Sequence, residues 1–300
     1  MTAIADSVSE RLERARVSLA GLSVGDAFGE RLFTDQEAIE SRRLPPARWT
    51  TTDDTEMAIA IVDVLARHER IDEDSLALAF ARRHAADPYR GYGPGAHGIL
   101  QEIHAGRPWK DTAGAAFGGR GSMGNGSAMR VAPLGAYFAD DDERLVDEAI
   151  HSAIVTHAHP DGQAGAVAVA AAAGWAARGG GESTALFEAV LDVTPAGPTR
   201  VGVERVAEIP RETDPLVVML EVGAGLKTTC GDTVPFCLWT FARHLGDFAD
   251  TLWTTVSVPG DRDTTCAIVG GLAAALTGAE GIPPDWLAAR ESLRHDLDLE

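Results

Sequence analysis

Apolar positions recur along this chain at the three-to-four-residue spacing of an α-helix. Leu12 to Phe28 puts Val17, Ala20, Leu22 and Val24 on a core face, and the same spacing predicts helices over Met57 to Leu65, Leu76 to His84 and Ala128 to Tyr137. Later helices are predicted over Leu145 to Val155, Gly162 to Arg178, Thr233 to His244, Phe248 to Val256 and Thr265 to Leu276. Loops separate them at Asp87-Pro88, Gly91 to Gly95, Gly118 to Gly126, Gly179 to Gly181 and Pro195 to Pro198. No stretch alternates long enough for a β-strand, and there is no fixed-period repeat or long linker. The expectation is an all-α fold: one compact multi-helix domain over residues 1–300.

Composition sharpens that picture. Hydrophobic residues make up 45% of the chain, enough for a real core, while aromatics make up only 6%. Alanine is used heavily; it has the best helix propensity and lets helices approach closely. Trp175, Trp239 and Trp253 fall on helical segments and are expected in the core.

Charge and cysteines exclude several classes. Lys and Arg number 26 against 45 Asp and Glu, a net charge of −19. Such a surface repels phosphate backbones and anionic lipid, so no nucleic-acid backbone binding is expected. It attracts divalent cations, although an acidic surface serves solubility equally well. The longest apolar run, Ala164 to Ala177, is shorter than the ~20 residues of a membrane span. Met1 to Glu10 carries Asp6 and Glu10 and no apolar signal core, so a cytoplasmic protein is expected. Cys230, Cys237 and Cys266 form no C-x-x-C pair, which argues against a disulfide framework or a thiolate zinc site. They read as small buried hydrophobes rather than nucleophiles.

Two acidic clusters carry the chemistry. Thr52-Asp53-Asp54-Thr55 precedes the helix at Met57, and Asp261-Arg262-Asp263-Thr264 precedes the helix at Cys266. Taken singly, each is well explained as a helix cap, since Asp and Thr accept hydrogen bonds from first-turn amides. Two adjacent carboxylates exceed what a cap needs. If the clusters converge, four carboxylates repel one another unless cations bridge them. Hard oxygen donors suit Mg²⁺, Mn²⁺ or Ca²⁺ rather than zinc, and Thr52 and Thr264 add neutral oxygens.

These clusters, with Gly124-Asn125-Gly126-Ser127-Ala128-Met129-Arg130, resemble the signature segments of the ADP-ribosylglycohydrolases, relatives of dinitrogenase-reductase-activating glycohydrolase and ADP-ribosylarginine hydrolase. Gly25-Asp26-Ala27-Phe28-Gly29, Gly91-Tyr92-Gly93-Pro94-Gly95 and Thr156-His157 add to the resemblance, which runs in order from about Leu19 to about Gly278. Each motif is weak alone; their ordered combination is specific.

The resemblance implies an all-α fold with a dimetal cleft and hydrolysis of the α-glycosidic bond between the distal ribose of ADP-ribose and an acceptor. It implies two divalent ions, Mg²⁺ or Mn²⁺, held by Thr52, Asp53, Asp54, Asp261, Asp263 and Thr264. Gly121, Ser122, Met123, Gly124, Asn125, Gly126 and Ser127 would wrap the ligand, with Tyr92, Gly93, Met129 and His157 also facing it. Glycines suit that role because their backbone amides can approach phosphate oxygens closely. Arg130 has two open partners, a phosphate or a buried carboxylate.

The chain departs from the family pattern in places. Phe33 stands where many members have a glutamate, so Glu30 joins Asp53 and Asp54 as a catalytic candidate. Pro259-Gly260 replaces a glycine pair, Arg262 replaces a small residue, and Ser122 stands where some relatives are acidic. A non-catalytic ADP-ribose binder and a dimetal phosphoesterase remain alternative readings. The acceptor is not legible.

Two patterns point elsewhere. His157-Ala158-His159-Pro160-Asp161 spells a zinc-hydrolase motif, but its flanks read helical. Gly93-Pro94-Gly95-Ala96-His97-Gly98 matches G-x-G-x-x-G, yet no strand precedes it.

Overall fold

In the computed structural model, which describes residues 7–294, the helices follow one another from end to end. They run α1 (Val8–Arg31), α2 (Gln36–Glu40), α3 (Asp53–His68), α4 (Glu73–Ala86), α5 (Pro94–His104) and α6 (Trp109–Gly119). Next come α7 (Ala132–Tyr137), α8 (Asp142–Ile154), α9 (Pro160–Ala177), α10 (Ser183–Val193) and α11 (Pro198–Glu208). The last are α12 (Pro215–Val222), α13 (Cys230–Arg243), α14 (Phe248–Val256), α15 (Arg262–Thr277) and α16 (Pro284–Ala289). Among the described residues there are no strands, only isolated bridges at Trp49–Arg290 and Gly124–Thr229. The acidic start at Asp6 and the end of the expected domain at 300 lie outside the described residues.

Every helix predicted from periodicity falls on a helix. Several begin earlier than their apolar stripe because polar caps form the first turn: α3 starts at Asp53, not Met57. The Ala128 segment begins later, at Ala132, after a 3₁₀ turn over Asn125–Ser127. Seven shorter helices were not predicted. Four of them, α5, α11, α12 and α16, open with proline at the first helical position. That proline reads as loop punctuation, yet its missing N–H has no intrahelical partner to lose there.

Small residues decide which helices meet. Gly21, Gly25 and Gly29 lie one turn apart on α1 and face α15. A methyl group on them would sit 2.4, 2.0 and 2.2 Å from the carbonyl oxygens of Gly270, Cys266 and Arg262. The two backbones are therefore nearly in contact, which sets the first turn of α15 beside Asp26. On α9 almost every side is buried, from Ala164 through Ala176, as expected of a helix apolar all round.

Larger side chains close the core. Phe28 stacks on Trp286 at 4.6 Å and meets Trp253 edge-on at 4.8 Å. Trp175, Trp239 and Trp253 are buried, as are all three cysteines, which are free thiols. Among the described residues no helix is long and apolar enough to cross a membrane.

Candidate active site

Asp26, wholly buried on α1, organises the entrance of α3. Its carboxylate accepts from the Thr52 amide at 2.9 Å and the Thr52 hydroxyl at 2.8 Å. It also accepts from the Thr55 amide at 3.2 Å and the Thr55 hydroxyl at 2.5 Å. Burial still pushes its pKa up to about 6 against these four bonds. Because Thr52 gives its hydrogen to Asp26, its oxygen keeps lone pairs; one receives the Asp54 amide at 3.3 Å. Asp53 is pinned from the other side, its amide donating to Arg90 O at 2.6 Å.

The carboxylates from the two sequence clusters interact. Burial pushes Asp53 up to about 8, helped by the negative charges of Asp26 and Asp261. Burial also raises Asp54 well above the carboxylate range, followed by repulsion from Asp263, Asp26, Asp53 and Asp261. Asp263 is raised by burial and then by Asp261. Asp54 Oδ2 and Asp263 Oδ1 are buried without a hydrogen-bond partner. Three helices thus crowd negative charge into one place.

Among the described residues no group of three His, Cys, Asp or Glu is arranged to hold a metal ion as it stands. The donor chemistry nevertheless fits a hard divalent cation. Crowded carboxylates with unpartnered oxygens are what such an ion would neutralise, and no lysine or arginine pairs with them among the ion pairs described.

A cleft of about 680 Å³ opens over these carboxylates. Asp53, Asp54, Asp261, Asp263 and Thr264 line it together. Gly121 to Gly126, Gly93, Met129 and His157 form another part of its wall. Thr52, Tyr92, Ser127 and Glu30 do not line it. Thr52 is turned to Asp26, and Tyr92 is buried edge-on against His84 at 4.8 Å. The Ser127 hydroxyl donates to Gly162 O at 2.6 Å, and Glu30 is exposed near the end of α1.

The glycine-rich loop is tied directly to the carboxylates. Asn125 Nδ2 donates to Asp261 Oδ2 at 2.7 Å and to Thr233 Oγ1 at 3.1 Å. Its backbone N–H donates to Thr228 O at 3.0 Å, and Cys230 N–H donates to Met123 O at 3.0 Å. Gly121 has φ +74°, and a methyl group there would lie 2.4 Å from the His159 amide nitrogen, so no other residue fits.

Sequence reasoning missed several lining residues of the cleft: Phe117, Arg120, Lys227 and Thr228. Phe117 and Thr228 both hold left-handed backbone, φ 53° and 52°, uncommon for residues with a Cβ. The segment before Thr228 packs on the second acidic cluster, where Asp261 N–H donates to Ala224 O at 3.0 Å. The only sequence signal was the spacing Gly223-Ala224-Gly225; a Cβ on Gly225 would sit 2.4 Å from Asp261 Cβ.

Other motifs resolve differently. Arg130 is wholly buried and hydrogen-bonds to no carboxylate, donating instead to Ser152 O and Thr156 Oγ1, both at 2.9 Å, while its charge acts on the nearby Asp53 carboxylate. Arg262 turns away from the cleft and donates to Leu32 O at 3.2 Å, Phe33 O at 2.8 Å and Gln36 Oε1 at 3.2 Å. His157, His159 and Asp161 do not converge: His157 Nδ1 meets Thr156, His159 Nδ1 accepts the Asp161 amide, and Asp161 accepts the Thr199 amide. Gly93 simply caps α5. Burial pushes the Cys230 thiol up to about 12, which suits a packed side chain and not a nucleophile.

Comparison with known proteins places the chain in a family. The ADP-ribosylglycohydrolase profile matches residues 7–299. The mouse (Mus musculus) protein named ADP-ribosylhydrolase ARH3 is 30% identical, covering 93% of this chain and 88% of that protein. A Pseudomonas putida protein named ADP-ribosylarginine hydrolase Tri1 is 26% identical, covering 93% of this chain and 74% of its own. A solved structure described as an ADP-ribosylglycohydrolase-related protein complex superposes with a TM-score of 0.69 at 26% identity, covering 94% of each chain. The chain belongs to the ADP-ribosylglycohydrolase family.

Proposed function

We propose that the cleft hydrolyses the α-glycosidic bond between the distal ribose of ADP-ribose and an acceptor, with an ADP-ribosylated protein as the substrate class. The observation that carries this reading is the meeting of Asp53, Asp54, Asp261 and Asp263 in a cleft that a glycine-rich loop also lines.

Each part has a chemical task. Gly121, Gly124 and Gly126 let the loop backbone come close to the diphosphate. Asn125 holds Asp261 in place while its own loop touches the ligand. As the glycosidic bond breaks, positive charge grows on the ribose carbon, and the carboxylates stabilise it. Asp53 and Asp54, both on the cleft wall, are the residues assigned to take the proton of the attacking water. Glu30 is exposed and outside the cleft lining, so the proton transfer falls to Asp53 and Asp54.

Thr52, Asp53, Asp54, Asp261, Asp263 and Thr264 are the residues that would hold two divalent cations, Mg²⁺ or Mn²⁺. When bound, such ions supply positive charge that orients ribose hydroxyls and lowers the pKa of a water. Asp26 prepares Thr52 for this by taking its hydrogen.

The test is incubation of the purified protein with ADP-ribosylarginine-bearing protein and Mg²⁺ or Mn²⁺, followed by chromatography of the products. Free ADP-ribose is expected. AMP or phosphate would instead indicate phosphoester chemistry, and tight binding with no release would indicate a binder. The double replacement Asp53→Ala with Asp54→Ala should lower release by about 100-fold or more, as when a transition-state charge partner is lost.

A further inference from the structure

His157 borders the cleft with its orientation controlled from behind. Arg130 is a donor only, and both hydrogens on its Nη2 are in use: one goes to Ser152 O and one to Thr156 Oγ1, each at 2.9 Å. Thr156 Oγ1 therefore accepts from Arg130, and it lies 2.7 Å from His157 Nδ1. Thr156 is wholly buried, and its hydroxyl has no other partner among the described residues. Were Nδ1 to carry the ring proton, the threonine hydrogen would have nowhere to go. Only one arrangement satisfies every group. Thr156 donates to Nδ1, and the imidazole proton sits on Nε2.

The free end of that ring faces the glycine-rich loop. A methyl group on Gly124 or Gly126 would lie 3.3 or 3.1 Å from Nε2, so the loop passes close to this nitrogen. Burial and the nearby Arg130 charge also disfavour a second proton, holding the imidazole neutral.

We infer that Arg130 and Thr156 are positioning residues that lock His157 as a neutral Nε2–H donor aimed at an oxygen of the bound ligand. The identity of that oxygen's owner, ADP-ribose, rests on the function proposed above. The lock itself does not.

Two measurements separate these parts. Nitrogen-15 NMR of labelled histidine in the free protein should show His157 protonated at Nε2. Thr156→Ser, which keeps the hydroxyl, should preserve that tautomer, and Thr156→Val should lose it. Calorimetry with ADP-ribose should show Thr156→Val binding about fivefold to tenfold more weakly, the scale of one hydrogen bond. In a His157→Ala background the same change should cost nothing further. A proton on Nδ1 in the wild-type protein would overturn the lock, and this spectrum decides even if Thr156→Val does not fold. An equal loss of affinity in the His157→Ala background would also overturn it, by exposing a merely structural role. Wild-type protein with the Nε2–H tautomer but no affinity for ADP-ribose would sink the cleft reading instead, and with it the donor's target.

Discussion

Asn125 Nδ2 donates to Asp261 Oδ2 at 2.7 Å, joining the glycine-rich loop to a residue 136 positions further along the chain. The bond makes loop position and carboxylate position one variable. Asn125→Ala should therefore lower ADP-ribose release by about tenfold, near 1.4 kcal/mol of transition-state stabilisation. Steady-state kinetics would check this; unchanged kcat/KM would show that loop and carboxylate act independently.

The contact between Gly25 and Cys266 should be intolerant of any side chain. A Cβ on Gly25 would stand 2.0 Å from the Cys266 carbonyl oxygen, and backbone on both helices leaves nothing to yield. Gly25→Ala should cost roughly 3 kcal/mol by urea denaturation, at the upper end for overpacking. Since Asp261 caps α15 and Asp263 lies in its first turn, the fraction that still folds should also lose metal affinity.

Stability without metal should depend on pH in a defined direction. Asp53 is raised from 3.8 to about 8 in the folded chain, so the folded state holds a proton that the unfolded state releases. Its contribution is complete below the unfolded value and is lost as pH rises through about 8. His157 works oppositely: lowered from 6.5 to about 3, it contributes above 6.5 and is lost as pH falls towards 3. Between pH 6.5 and about 8.5 the carboxylates dominate. In EDTA, Tm should fall across that window by several degrees, where each kcal/mol is about 2–4 °C. Asp53→Asn should flatten the fall and added Mg²⁺ should reverse it. A level Tm in EDTA would remove the electrostatic case for cations.

Arg262 should be structural rather than catalytic. Its guanidinium is buried and fastens Leu32, Phe33 and Gln36 after α1. Arg262→Ala should destabilise by about 1–3 kcal/mol through orphaned carbonyls. Arg262→Lys should not restore the loss, since an ammonium cannot reproduce the planar fork. Thermal unfolding of both variants would show it.

Helical class was legible because periodicity and alanine content act locally, and the long helices α1, α3, α9 and α15 appear where the apolar spacing put them. The acidic clusters at Asp53 and Asp261 were legible because paired carboxylates at a helix entrance exceed capping needs. What stayed hidden depends on packing between remote segments. Nothing near Arg130 in sequence shows that Ser152 and Thr156 would take its donors. The direction in which Arg262 points, between two acidic neighbours, is set by the carbonyls of Leu32 and Phe33. Phe117 and Thr228 stayed hidden because left-handed backbone positions leave no apolar periodicity.

On the function proposed here, the entrances of α3 and α15 share divalent cations. Equilibrium dialysis against Mn²⁺, with metal counted per chain, tests it most directly in the wild-type protein, in Asp53→Asn with Asp54→Asn, and in Asp261→Asn with Asp263→Asn. Two ions per wild-type chain are expected, with strong loss in either double variant because both helices contribute to each ion's charge balance. Wild-type protein that retains no Mn²⁺, or full retention after either pair is neutralised, would contradict it.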